Sequence, residues 1–414
     1  MDQITGVDGL QREWPPTRDE GLRRMRAFAP RMGGHYKSKR NHDLGPDRRD
    51  NVSMLSPWLR RRLVTEAEVV GTALATHSAA SCEKFVQEVV WRGYFKGWLE
   101  RRPSVWTAYR TGLARDRARL SEERGLAKAV AKAEEGDTGL DCFDAWAREL
   151  VETGYLHNHA RMWFASLWIF TLGLPWRLGA DFFLRHLLDG DPASNTLGWR
   201  WVAGLHTRGK NYAAQAWNIS KFTGGRFQPA PAEIEEAAAP LEEDAPLPQA
   251  APVPPADRPG EGPQALLITE EDCQPETLGL DLRAMRGAAA LAATGQRSDA
   301  AVSARVAEFD RGALEDAAIR ARAAGASEAE LLSEIAPDDL ARWAARTGAR
   351  EIVTAWVPTG PTRDLLERAR PALAAEGARI VMVRRDWDEA IWPHADAGFF
   401  KVKKKIPTLL RRLA

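Results

Sequence analysis

The sequence predicts a mainly α N-terminal domain over residues 1–228 and a C-terminal α/β domain over residues 263–414, joined by an acidic Pro/Ala-rich linker over 229–262. Three observations predict this. The first half carries apolar residues at helical spacing with capping signals and no convincing run of alternating strand. Residues 229–262 (PAPAEIEEAAAPLEEDAPLPQAAPVPPADRPGEG) have few large apolar side chains and cannot form a core of their own. From 263 onward short apolar runs alternate with helical stretches, the pattern of a layered α/β domain.

Taken in order, Ser56-Pro57 opens a helix running through Trp58–Leu63, and Thr65 with Glu68 forms a capping box for the next. Residues 81–100 place Phe85, Val89, Tyr94 and Trp98 near helical spacing. Asp141–Thr153, Asn158–Thr171 and Trp176–Leu188 predict three more helices. Beyond the linker, Ala265–Thr269, Glu351–Val357 and Arg379–Val383 are the expected buried parallel strands, with helices near Ser298–Ala324, Glu328–Arg346 and Thr362–Glu376. No glycine-rich phosphate loop of the GxGxxG or GxxxxGK[ST] type follows any of these strands.

Composition narrows the function classes. With 414 residues and 44% hydrophobic residues, both units can bury a core. No apolar run is long enough to span a bilayer, and the first residues lack a signal-peptide pattern, so a soluble cytoplasmic protein without a membrane partner is expected. Cys82, Cys142 and Cys273 form no CxxC pair, which argues against disulfide and zinc frameworks. The net charge of +1 hides an asymmetry: 35 Lys+Arg against 26 Asp+Glu in residues 1–228, and 23 against 31 in the rest. A basic half points to a polyanion partner, and ordinary solvated helix faces are the alternative. Of 16 tryptophans, twelve lie at or before Trp217; core filling explains most of them.

The stretch Arg161–Trp201 carries the chemistry. Arg161 follows His157, Asn158 and His159, and Asp189-Gly190-Asp191 ends a second apolar helix just before Pro192. Acids near a core are costly unless paired. Taken alone, the triplet favours a solvent-exposed Asx-type turn. The longer string changes that balance. Trp176-Arg177-Leu178-Gly179, Asp189-Gly190-Asp191, Ala193, Asn195 and Gly198-Trp199-Arg200-Trp201 match W-R-x-G followed by D-G-D-x-A-x-N-x-x-G-W-x-W. This resembles the flavin-binding signature of the DNA photolyase/cryptochrome family. Gly33–Arg40 with Val52–Ser56, Trp91–Phe95 and Gly154–Met162 follow in the family's order, so that the resemblance covers nearly all of residues 10–228.

The resemblance implies a helical fold binding FAD. Its cofactor-binding residues would be Tyr36, the loop Val52, Ser53, Met54, Leu55 and Ser56, Arg161 paired with Asp189, then Gly190, Asp191 and Asn195. Asn195 would tune the flavin, and Trp199 and Trp176 would be the inner and middle members of a photoreduction chain. Arg40, Trp91, Asn158 and His159 would face DNA carrying pyrimidine dimers, with no metal involved. Arg208, Lys210, Lys221 and Arg226 are candidate phosphate contacts.

The chain departs from the pattern in four ways. Val52 replaces a Thr, His159 an Arg, Ala133 the outer tryptophan, and Gly93 a carboxylate that bonds to the dimer bases. The α/β unit also follows the flavin unit where family members carry it first, which implies a permuted or fused arrangement. Light-driven dimer repair by a carbon–carbon lyase is the leading expectation. The alternative is a blue-light photoreceptor or redox-signalling flavoprotein with a protein partner.

Overall fold

The structure is a computed structural model that describes residues 14–243, 245–333 and 336–413. The start of the predicted first domain (1–13), residue 244 of the linker, and residues 334, 335 and 414 of the predicted second domain lie outside the described residues.

The first half is helical. Its helices are α1 (Arg18–Phe28), α2 (Gly34–Lys39), α3 (Ser56–Arg60), α4 (Glu66–Thr76), α5 (Ala79–Glu100) and α6 (Pro103–Glu122). Next come α7 (Arg124–Glu135), α8 (Asp141–Thr153), α9 (Asn158–Ser166), α10 (Trp176–His186), α11 (Pro192–Val202) and α12 (Ala216–Phe222). The Thr65/Glu68 capping box forms as its sequence predicts. The helix expected over Asn158–Thr171 is α9 followed by a π-helical turn at Leu167–Thr171. Trp58, Trp146, Trp163 and Trp168 are fully buried, as core filling requires. No described helix is long and apolar enough to cross a membrane.

The second half is a parallel sheet of order β3-β2-β1-β4-β5, with β1 (Gln264–Thr269), β2 (Ala288–Ala292), β3 (Ala329–Ser333), β4 (Glu351–Ala355) and β5 (Arg379–Val383). Helices α13 (Ala304–Ala323), α14 (Pro337–Thr347) and α15 (Pro361–Ala375) connect the strands, and α16 (Asp386–Ile391), α17 (Phe399–Lys403) and α18 (Ile406–Leu413) follow. Two strands correct the sequence expectation. β2 (AAALA) has no strand signal because alanine favours helix, and β3 occupies the front of the segment expected as helix over Glu328–Arg346. Pairing with β1, and then with β2, overrides that preference.

The linker has no core but is not free. Leu241 N–H donates to Ala203 O at 2.9 Å, Ala251 N–H to Arg101 O at 2.8 Å and Asp257 N–H to Met382 O at 3.1 Å. Glu243 accepts from Arg200 at 2.8 Å. It is a strap bonded through its backbone to both domains, which composition alone does not reveal.

The domains lock through charge. Arg60 forms a two-pronged bond with Glu271, both contacts 2.7 Å, and Arg61 Nε donates to Asp310 at 2.6 Å. Arg62 reaches Asp388 at 2.7 Å and Asp272 at 3.5 Å, and Asp272 is also held from within the α/β domain by Arg385 at 2.6 and 2.7 Å. Arg60, Arg61, Arg62, Glu271, Asp272, Asp310 and Asp388 are buried. Much of the basic surplus of the first half therefore meets acid of the second half. Ligands of such sheets bind beyond the strand ends at the switch point, here between β1 and β4. Helical-domain groups fill that place: Arg60 takes Glu271, and Glu100 accepts from Trp356 Nε1 at 3.2 Å and Thr359 Oγ1 at 2.8 Å.

Candidate functional site

The turn between α10 and α11 forms the floor of the site. After α10 ends, Gly190 N–H donates to Leu187 O at 3.0 Å, and Asp191 caps α11 by accepting from Ser194 N–H at 2.9 Å, with Pro192 at the first helical position. Arg161 Nη2 donates to Asp189 Oδ2 at 2.9 Å, the predicted pair, and Arg161 Nε holds Leu156 O at 2.8 Å. Asp189 Oδ1 is buried and has no partner among the described residues. Burial pushes the Asp189 carboxyl up, but Arg161, Ser56 and Arg92 more than reverse this and hold it below the ordinary carboxylate range. Asp191 is likewise opposed by burial, and the cations Lys96, Arg92 and Arg60 with Ser194 bring it down to about 2. Both acids are ionised at neutral pH.

Above this floor lies a cavity of about 810 Å³. It brings together most of the flavin-side and DNA-side residues singled out in the sequence, whereas Arg208, Lys210, Lys221 and Arg226 do not line it and Arg226 is instead paired with Asp43. Tyr36, the loop Val52–Ser56, Arg161 and the Asp189–Asp191 turn line it, as do Asn195 and Trp199. Met54 in that loop has φ 52°, a left-handed conformation uncommon for a non-glycine residue. Asn195 donates its amide to Ala180 O at 2.7 Å, which leaves its carbonyl oxygen for a ligand. Trp199 packs edge-on against Phe183 at 5.1 Å, and its indole N–H has no partner. Trp176 is not on the wall. It lies behind it, 5.8 Å from the Tyr109 ring, and Tyr109 in turn is 5.3 Å from Trp106. Ala133 is buried in α7.

The predicted DNA-side residues Arg40, Trp91, Asn158 and His159 line the same cavity. Arg40 pairs with Glu88 at 2.9 Å. His159 lies 2.9 Å from Asn41 O and stacks on Trp163 at 4.2 Å. Burial lowers its pKa, so it is neutral at pH 7 and offers a hydrogen bond but no cation.

A family model, the FAD binding domain of DNA photolyase, matches residues 85–228. The match covers about a third of the chain, which over these residues is similar to the photolyase/cryptochrome family. The deoxyribodipyrimidine photo-lyase of Streptomyces griseus is 38% identical over 159 residues, 38% of this chain and 33% of that protein. That of Escherichia coli (strain K12) is 28% identical over 204 residues, 48% of this chain and 42% of that one. Cryptochrome DASH of Ostreococcus tauri is 33% identical over 204 residues, 48% of this chain and 35% of its own. The chain thus spans about a third to two fifths of the length of these relatives. Among solved structures, a class III photolyase from Agrobacterium tumefaciens is similar at 26% identity, with a TM-score of 0.43 over 54% of this chain and 46% of that one.

FAD is the cofactor of this domain, and the donor set fits it. The volume lies within the range of cofactor pockets. Arg92 Nη1, Asp189 Oδ1 and Trp199 Nε1 are buried polar atoms without partners among the described residues, and all three residues line the cavity.

Sequence reasoning missed several neighbours. Arg92 is quoted only within a motif, yet it is a cation on the wall. Glu88, one turn earlier on α5, also lines the cavity, and burial pushes its carboxyl up against the pull of Arg40. Arg60 Nε donates to Gly190 O at 2.9 Å and Arg61 to Leu188 O, so the arginines that bind the α/β domain also hold the floor of the flavin site. The signal was present as the triplet Arg60-Arg61-Arg62 and the triplet Glu270-Glu271-Asp272, which nothing in sequence connects.

Gly93 does not line the cavity. A Cβ there would lie 3.1 Å from both Trp387 Nε1 and Ile391 Cδ1 of α16. The position of the family's carboxylate is thus a packing seam between domains.

Proposed function

We propose that this protein is a light-driven DNA lyase that splits UV-induced pyrimidine dimers. The observation that carries the reading is that the flavin-facing residues and Arg40, Trp91 and Asn158 open onto one cavity. A base delivered there would enter the same cavity that would hold the flavin. Reduced FAD, when bound, supplies the photoexcited electron that opens the dimer and receives it back, with no net redox change.

The protein's own part is binding and orientation. Arg92 and the hydroxyls of Ser53 and Ser56 would hold the phosphates, and Asp189, kept in place by Arg161, would hold the ring. Asp191 stays ionised while capping α11, and the free carbonyl of Asn195 would accept from the flavin. Trp91 would offer an unstacked base only the face that the stacked Phe399 ring leaves open, and Asn158 would offer a hydrogen bond. Trp199 would be the indole on the cavity wall that hands electrons to bound oxidised FAD, and Trp176, Tyr109 and Trp106 are a row of rings available to supply it.

A second reading, a blue-light photoreceptor or redox-signalling protein, is favoured by Gly93, whose seam leaves no room for the dimer-bonding carboxylate. The test is illumination of holoprotein, its FAD chemically reduced beforehand, with a thymine-dimer oligonucleotide. Dimer loss in blue light and none in the dark is expected. Intact dimers with reduced FAD bound would sink the lyase reading.

A further inference from the structure

The end of the α/β domain returns to the flavin cavity. Phe399 of α17 stacks on Trp91, centroids 3.7 Å apart and planes 13° apart, and meets Tyr94 edge-on at 5.6 Å. This anchors α17 on α5 and places the next residue, Phe400, on the cavity wall. Phe400 is nevertheless 77% exposed. Val151, Trp217, Ile319 and Leu331 are the other exposed large apolar residues among those described, and none of them lines this cavity. A ring held open on a cavity wall offers a flat face on which another ring can stack.

The charge beside it selects the occupant. Lys404 follows Phe400 by one helical turn, its N–H donating to Phe400 O at 3.3 Å, so both share a face. Lys404 is exposed and has no ion pair among the described residues, whereas Lys401 is tied to Asp396 at 2.6 Å and Lys403 lies 3.9 Å from Glu83. On another part of the wall, α2 contributes Tyr36 and leaves Lys37 and Lys39 exposed. An open aromatic ring with an adjacent free cation is the chemistry that takes a stacked base and its neighbouring phosphate.

We propose that Phe400 and Lys404 form a nucleic-acid contact supplied by the α/β domain, Phe400 stacking on a base of an unpaired strand at the cavity entrance and Lys404 holding an adjacent phosphate. The proposal rests on the DNA-lyase reading and names its partner as single-stranded or locally opened DNA. The α/β domain then completes the substrate entrance as well as supporting the flavin floor.

The experiment is fluorescence anisotropy of a labelled, undamaged oligo(dT) with full-length, FAD-loaded protein across a salt series. Phe400→Ala is expected to weaken binding roughly five- to hundred-fold, the range of a lost base–aromatic stack, with Phe400→Trp restoring it. Lys404→Ala should lower the slope of log affinity against log salt by about 0.7, the value for one phosphate on a single strand, while Phe400→Ala leaves the slope unchanged. Flavin absorbance equal to wild type shows that each variant is folded. If Phe400→Ala binds as tightly as wild type while Arg40→Ala weakens binding, the strand crosses elsewhere: this inference falls and the lyase reading stands. Loss of FAD from Phe400→Ala would make the ring a flavin cover and overturn the inference. No binding of oligo(dT) by wild type would overturn both.

Discussion

Replacing Glu271 by alanine removes both carboxylate oxygens that Arg60 holds at 2.7 Å. Arg60 and Glu271 side chains are only 2% and 3% exposed, so the change strands a buried cation. Breaking such a pair costs roughly 3–5 kcal/mol. The effect reaches the flavin because the same guanidinium donates to Gly190 O at 2.9 Å, between the two acids of the site floor. Urea unfolding of the holoprotein should show that loss, and FAD should dissociate faster. The double variant Arg60→Met/Glu271→Leu separates the two effects. Exchanging a buried pair for apolar side chains is often neutral or stabilising, so stability should recover. FAD release should stay fast, because Gly190 still lacks its donor. A Glu271→Ala protein within about 1 kcal/mol of wild type would refute the charge lock, since such loss is typical of unremarkable substitutions. A double variant holding FAD as tightly as wild type would refute its link to the flavin.

Three further outcomes are expected. The folded pKa of Asp191, about 2, lies below its ordinary value of 3.8, so its contribution of about 2 kcal/mol is complete above roughly pH 4 and is lost as pH falls toward 2. Asp191→Asn should flatten acid destabilisation in that window, and an unchanged slope of urea midpoint against pH would contradict the assignment. Gly93→Glu should destabilise by roughly 1–3 kcal/mol through overpacking against Trp387 and Ile391, and should not raise dimer repair; a variant as stable as wild type would remove the seam argument. Trp199→Phe should retain FAD but slow its blue-light reduction, and unchanged kinetics would route electrons elsewhere.

Local signals carried the helical half. The Thr65/Glu68 box, the boundaries of Asp141–Thr153 and the turn at Asp189-Gly190-Asp191 all follow from neighbours in sequence. β2 and β3 were not legible, because alanine-rich β2 becomes a strand only on pairing with β1, and β3 only on pairing with β2 in turn. The Asp189-Gly190-Asp191 turn was legible through its motif, but its support was not: Arg60 and Glu271 stand 211 residues apart. Charge asymmetry suggested a polyanion for the whole basic half, yet Arg60, Arg61 and Arg62 turn inward to acids of the other domain. Sequence shows that Gly93 stands where the pattern has a carboxylate, but not that this face of α5 packs against Trp387 and Ile391.

The account stands on the cavity being the flavin site, held by Asp189 with Arg161 and by the unpartnered Arg92. The most direct measurement is the flavin-to-protein ratio, by absorbance, of purified Asp189→Ala and Arg92→Ala beside wild type. Wild type should carry FAD near one per chain, and both variants should lose most of it while keeping their helical circular dichroism. Full flavin retention in both folded variants would place FAD elsewhere and contradict the site on which the lyase reading and the Phe400 contact depend.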